Sequence, residues 1–211
     1  SETVPPNVLI IMDNSGSMNW PAYVDLGSSN PIVYDYGSYD SNTRYYGYAD
    51  PDSFYQYGTN RFEITHSWSG TADPAHKRFS GNFLNWLMSR RIDIARQVLV
   101  GGKCASRQGT GRKTLIWEDP VQSRYYYKYW WCDDGCRWKF KNHYDQYLYA
   151  YRKSGCSYGG YSYKWKVKKQ VAGPEEVKGI VQDVYDRVRF GIMHFNSSEG
   201  GYVAHWIGGP M

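Results

Sequence analysis

No run of about 18 uninterrupted apolar residues occurs in the 211-residue chain, so the sequence offers no membrane-spanning helix. Net charge is also small: 25 Lys and Arg stand against 20 Asp and Glu, a formal excess of +5. An excess of that size, interleaved with acids, suits a solvated surface better than a phosphate-tracking groove and argues against nucleic acid as a partner. Cysteines are few: Cys104, Cys132, Cys136 and Cys156. No second close pair or His pair follows Cys132 and Cys136, which excludes a zinc ribbon, and without Cys-x-x-Cys-His there is no covalent haem site. Signs of catalysis are missing too. His-Glu-x-x-His is absent, the five histidines (His66, His76, His143, His194 and His205) are scattered, and Glu118 and Asp119 have no evident partner. The sequence therefore predicts a protein that is not an enzyme.

What is abundant is the aromatic ring. Tyr 22, Trp 9 and Phe 7 make up 18% of the chain, while mean hydropathy is −0.69. The apolar mass sits in amphipathic rings, and with 22 Gly this points to turn-rich β structure and away from disorder. An even cysteine count inside Tyr- and Gly-rich sequence suits two disulfides and an oxidising compartment. Four cysteines allow three pairings. Nested bridges, Cys132–Cys136 across a hairpin turn and Cys104–Cys156 at the ends of the segment, suit a chain folded back on itself. The opening Ser1-Glu2-Thr3-Val4-Pro5-Pro6 reads like an exported product with its leader removed.

Along the chain, the apolar run at residues 7–12 predicts a strand buried on both faces. Residues 19–79 have no helical period and read as an insertion of loops and short strands carrying repeated tyrosines. From Ser80 the period changes. Phe83, Leu84, Leu87, Met88, Ile94, Val98 and Leu99 fall on one stripe, a helix closed by Gly101-Gly102. Residues 103–172 form a second insertion, with an aromatic hairpin turning at residues 133–135 and further strands at 144–151 and 158–167. A helix opens at Pro174-Glu175-Glu176, and strands follow at 188–195 and 202–207. The scaffold is α/β with two decorated connections. Tyr125, Tyr127, Trp130, Trp131 and Trp138 have two readings: a contact surface for glycans or a partner's rings, or the local core of aliphatic-poor hairpins.

Asp13-x-Ser15-x-Ser17 follows the first strand, at the end where open α/β sheets bind ligands. One carboxylate and two hydroxyls can converge on a hard divalent cation, and the same residues can form a plain Asx turn. Context favours the cation. Residues 8–18, VLIIMDNSGSM, resemble the first strand and metal-ion-dependent adhesion site of a von Willebrand factor A domain. Tyr45-Tyr-Gly-Tyr-Ala-Asp-Pro-Asp52, Ser80-Gly-Asn-Phe-Leu-Asn-Trp-Leu-Met-Ser89 and residues 91–102 and 179–193 resemble PilC/PilY-type proteins of type IV pili.

The resemblance implies a partial von Willebrand factor A-like (Rossmann-like) sheet spanning residues 1–211, incomplete at its C terminus, with two large Tyr-rich insertions at about 19–79 and 103–172. It implies a secreted protein, periplasmic in transit and then at the cell surface or pilus tip, acting in adhesion and pilus biogenesis. Pilins or minor pilins and host or surface ligands are the implied partners. The implied cofactor is Mg²⁺ (or Ca²⁺/Mn²⁺) at Asp13, Ser15 and Ser17, held weakly because the family's further Thr and Asp ligands have no matching positions. In that family the first strand lies centrally, so half a sheet leaves it an open edge. The alternative function is a structural subunit that completes its half-sheet in trans, within a filament or other self-assembly.

Overall fold

The aliphatic run after two prolines takes the extended form that such residues favour, and Asn7–Met12 makes strand β1. The structure, a computed structural model, describes residues 4–13, 15–24, 34–35, 39–121, 125–132, 135–153, 160–195 and 201–205, with the main chain alone at 34–35, 195 and 201–205. Five short strands come next: β2 (Tyr34–Asp35), β3 (Phe54–Tyr57), β4 (Phe62–Ile64), β5 (Ala72–Asp73) and β6 (Arg78–Ser80). Helices α1 (Gly81–Met88) and α2 (Arg91–Val100) follow. The middle of the chain holds β7 (Thr114–Ile116), β8 (Tyr125–Trp131), β9 (Arg137–His143), β10 (Tyr147–Lys153), β11 (Ser162–Lys168) and β12 (Gln170–Ala172). A short helix, α3 (Ile180–Val184), leads to β13 (Arg189–Phe195) and β14 (Gly201–His205).

The strands form three sheets, ordered β5-β6-β3-β4-β12-β7, β11-β10-β9-β8-β2 and β1-β13-β14. In the smallest, β1 runs parallel to β13, from Asn7 opposite Arg189 to Met12 opposite His194, and β14 lies antiparallel to β13. The class is α/β, as expected. The burial expected of β1 is not found. Val8, Leu9 and Ile11 are 40%, 44% and 57% exposed, because among the described residues β1 has a strand neighbour on one side only.

The core lies instead between α1 and the two segments expected as decorations. Phe83, Leu84, Trp86, Leu87 and Met88 of α1 are all buried. Phe83 stacks on Phe79 of β6 with ring centres 5.6 Å apart, and meets Phe140 of β9 and Trp130 of β8 edge-on at 6.1 and 5.6 Å. One ring thus joins both large sheets. Each fully buried Phe or Leu stabilises by roughly 1.5–3 kcal/mol, so the weight of the fold rests here.

Residues 80–102 are two helices rather than one. Ser89 and Arg90 are extended, with ψ of 136° and 164°. Arg90 is the physical cause. Its buried guanidinium donates to Asn19 O at 2.6 Å and Glu118 O at 2.8 Å, and its N–H donates to the Asp93 carboxylate at 3.0 Å, capping α2. A continuous helix would turn all three donors elsewhere. The helix expected from Pro174 begins only at Ile180. Gly179 lies against the end of α2, where an added Cβ would sit 2.3 Å from Val100 N. The aromatic hairpin forms as β8 and β9, with Gly135 at φ +72° in the turn. Residues 133–134 of that turn, 154–159 and 206–207 lie outside the described residues.

Candidate functional site

Asp13 stands just beyond the carboxyl end of β1. Its Oδ1 accepts the Ser15 N–H at 2.7 Å, and the Oγ atoms of Ser15 and Ser17 lie 2.8 Å apart. Ser15 precedes a 3₁₀ turn, Gly16–Asn19, that carries Ser17 back towards it. The Ser15 N–H, and then its hydroxyl, hold the Asp13 carboxyl below its usual range, so it is an anion at neutral pH. The structure therefore brings all three expected residues into one exposed turn. Their donors are hard oxygens and fit Mg²⁺, Ca²⁺ or Mn²⁺ in kind, though three fall short of a full coordination shell. No group of three or more His, Cys, Asp or Glu side chains suited to a metal gathers among the described residues.

Among the described residues no disulfide is seen. Cys104, Cys132 and Cys136 lie among those residues, and Cys156 lies outside them. At the hairpin turn Cys132 N–H donates to Cys136 O at 2.9 Å. Cys104 Sγ donates to Ser106 O at 2.8 Å.

Of the five aromatic residues expected as a contact surface, Tyr125, Tyr127 and Trp131 share the outward face of β8. Trp138 is buried, and Trp130 packs on Phe83, so these two belong to the core. The cause is the two-residue period of a strand, which sends odd positions outward here and even positions inward. The same alternation places Arg137, Lys139 and Lys141 of β9 on the outward face, as their interleaving with apolar residues in RWKFKNH implies.

The motif Ser80-Gly-Asn-Phe-Leu-Asn-Trp86 is a structural clamp. Ser80 Oγ accepts the Phe83 N–H at 3.1 Å and caps α1. Asn82 accepts from Tyr45 N–H at 2.7 Å and donates to Thr43 O at 2.8 Å. Asn85, fully buried, donates to Tyr45 O and Ala49 O at 2.9 and 2.8 Å and accepts the Ala49 N–H at 3.0 Å. Gly81 permits the approach, since a Cβ there would lie 1.9 Å from Asp50 O. Two asparagines one helical turn apart thus fix residues 43–49 against the core.

Glu118 and Asp119 do have partners. Glu118 accepts from Arg96 and from Lys103 at 3.0 Å, and Asp119 pairs with buried Lys169 at 2.5 Å. Burial pushes the Asp93 carboxyl up to about 6 against its backbone donors, and brings the Lys169 ammonium down to about 8. This network ties α2 to residues 117–119 and to the segment between β11 and β12. Gly155-Cys156-Ser157-Tyr158-Gly159 has the spacing of a nucleophile elbow, but that device needs a strand running into a helix. Here the segment joins the antiparallel strands β10 and β11, and its own residues lie outside those described.

The described residues thus define a mixed α/β domain built on two aromatic sheets and a buried helix, with an Asx turn at the edge of a third sheet. Residues 36–129 match the family described as PilY1 homolog, small alpha/beta domain. The match takes in the clamp around α1 and ends within β8; it supports a PilY1-like relation and a type IV pilus-related function. It does not extend to β1 or the Asp13 turn. No curated protein and no solved structure gives a significant match. No helix among the described residues is long and apolar enough to cross a membrane.

Proposed function

We propose that the chain is a secreted adhesion and assembly module of a pilus-associated protein, displayed at the cell surface or pilus tip. The observation that carries this reading is the match over residues 36–129, whose centre is the clamp just described. Outside that match, the turn of Asp13, Ser15 and Ser17 holds a divalent cation, Mg²⁺ or else Ca²⁺ or Mn²⁺. A bound cation with open positions captures an acidic group of a pilin or surface ligand. Asp13 supplies the charge, Ser15 orients it through its N–H, and Ser17 adds a second hydroxyl. Titration of Mg²⁺ and Mn²⁺ by calorimetry checks this. The wild type should bind weakly, at roughly 10⁻⁴–10⁻³ M as extracellular cation modules do, and Asp13→Ala should lose the signal. Equal binding by both proteins would remove the assignment.

One observation favours a second reading. The edge of β1 that has no strand neighbour among the described residues, with Val8, Leu9 and Ile11 exposed, suits completion of the small sheet in trans by a strand from another copy or from a pilin. In that reading the chain is a structural subunit of an assembly.

A further inference from the structure

The outward face of the five-stranded sheet is ordered by register into alternating columns of rings and cations. Tyr127 lies opposite Lys141, Lys141 opposite Tyr149, and Tyr149 opposite Lys166. In the next row Lys139 sits between Tyr129 and Tyr151. Each cation lies over rings. Lys141 Nζ is 4.2 Å from the Tyr125 ring centre, Lys139 Nζ is 4.9 Å from Tyr151, and Lys166 Nζ is 4.7 Å from Tyr147. Arg137 continues the column, 5.0 Å from the ring of Trp131 at the margin of the face.

Rings hold these cations in place without neutralising them. Among the described residues none of the three lysines is ion-paired to a carboxylate. Asp145, in the turn between β9 and β10, accepts the Tyr149 hydroxyl at 2.5 Å and lies 3.0 Å from His143. Burial, and then the charge of Lys141, lower the proton affinity of Lys139, which is what two crowded cations lacking a counter-ion should show. Side chains on one face recur about 6.8 Å apart along a strand and about 4.8 Å between strands, so the cations form a flat, extended lattice.

From this geometry we infer that the outward face of β8–β11 binds an acidic polysaccharide, its carboxylate or sulfate groups bridging Lys139, Lys141 and Lys166 while its hydroxyls meet the tyrosine hydroxyls. A polymer suits a flat lattice of charges, where a small anion would find no pocket. Single-stranded nucleic acid is disfavoured because its bases need open ring faces, and here ammonium groups cover them. This surface is separate from the Asp13 turn, so loss of either leaves the other standing.

The test immobilises the whole chain and measures binding of heparin, polygalacturonate, neutral dextran, an oligothymidylate and phosphatidylglycerol vesicles by surface plasmon resonance. Heparin and polygalacturonate should bind, more weakly as salt rises, and dextran should not. Lys139→Gln with Lys141→Gln should weaken binding at least tenfold, whereas Lys178→Gln with Arg187→Gln, removing equal charge elsewhere, should leave it unchanged. Lys166→Gln, on an exposed position of β11, supplies a variant that spares the centre of the sheet and should cost several-fold. Equal loss in the control pair, or tighter binding of the oligothymidylate or the vesicles than of either acidic polysaccharide, would overturn the inference.

Discussion

Glu118 shows how a single side chain can carry a pH dependence. Burial alone would raise its carboxyl, yet the hydrogen bonds from Arg96 and Lys103 outweigh that and bring it down to about 2. A carboxyl lowered on folding stabilises fully above its unfolded value, near 4.3, and that contribution fades as pH falls towards 2. Glu118→Gln should therefore destabilise the protein at pH 7 by about 1–3 kcal/mol, the range for a partner removed from a partly buried charged hydrogen bond. It should also flatten the loss of stability between about pH 4.5 and 2. Urea denaturation at stepped pH checks both, and an unchanged acid limb in the variant would show that other carboxylates dominate. Legibility at this scale was uneven. The oxygens of Asp13, Ser15 and Ser17 could be read because their convergence needs only a local turn. The partners of Glu118 lie on α2 and beyond it, and nothing local in sequence announces them.

At the scale of elements, period was a reliable guide where one face of an element meets the core. The β8–β9 hairpin follows from spacing alone, whereas the single helical stripe does not: α1 is buried on nearly every side, and Val98 of α2 is exposed. The break between α1 and α2 does not either, because it is imposed by Arg90 reaching carbonyls at Asn19 and Glu118, 71 and 28 residues away. Strand β1 misled in the opposite sense: an apolar run signals burial, but not what does the burying. That leaves a prediction. If β1 is completed in trans, residues 1–211 should give a mass above that of the monomer by light scattering, with slow amide exchange over residues 8–12. Lys at Leu9 or Ile11 should return the protein to a monomer. A monomer with strong protection over residues 8–12 would remove the trans reading.

For the molecule as a whole, the aromatic composition proved to describe two structures at once. Inward, Phe79, Phe83, Trp138, Phe140 and Trp165 take the place that aliphatic residues fill in most cores. Outward, tyrosines alternate with cations. Composition foretold rings in both places but could not sort them, and the two-residue period does. The α/β class was legible, whereas the seat of the core was not, since segments that interrupt a familiar scaffold in sequence are here the body of the domain.

The parallel pairing of β1 with β13 sets an order of events in time. The two strands are far apart in the chain, and folding of what lies between them, including both large sheets, shortens the path that joins them. The core residues make their contacts within 45–177, so they can collapse first and carry the ends of the small sheet towards each other. Pulse-labelled refolding should show α1 and β9 protected before β1, and simultaneous protection would contradict that order. During synthesis β1 has no described neighbour until Arg189–Phe195 has been made. The turn of Asp13, Ser15 and Ser17 thus hangs between two supports made at different times: the helices, where Arg90 donates to the Asn19 carbonyl, and β13, which pairs with the strand leading into it.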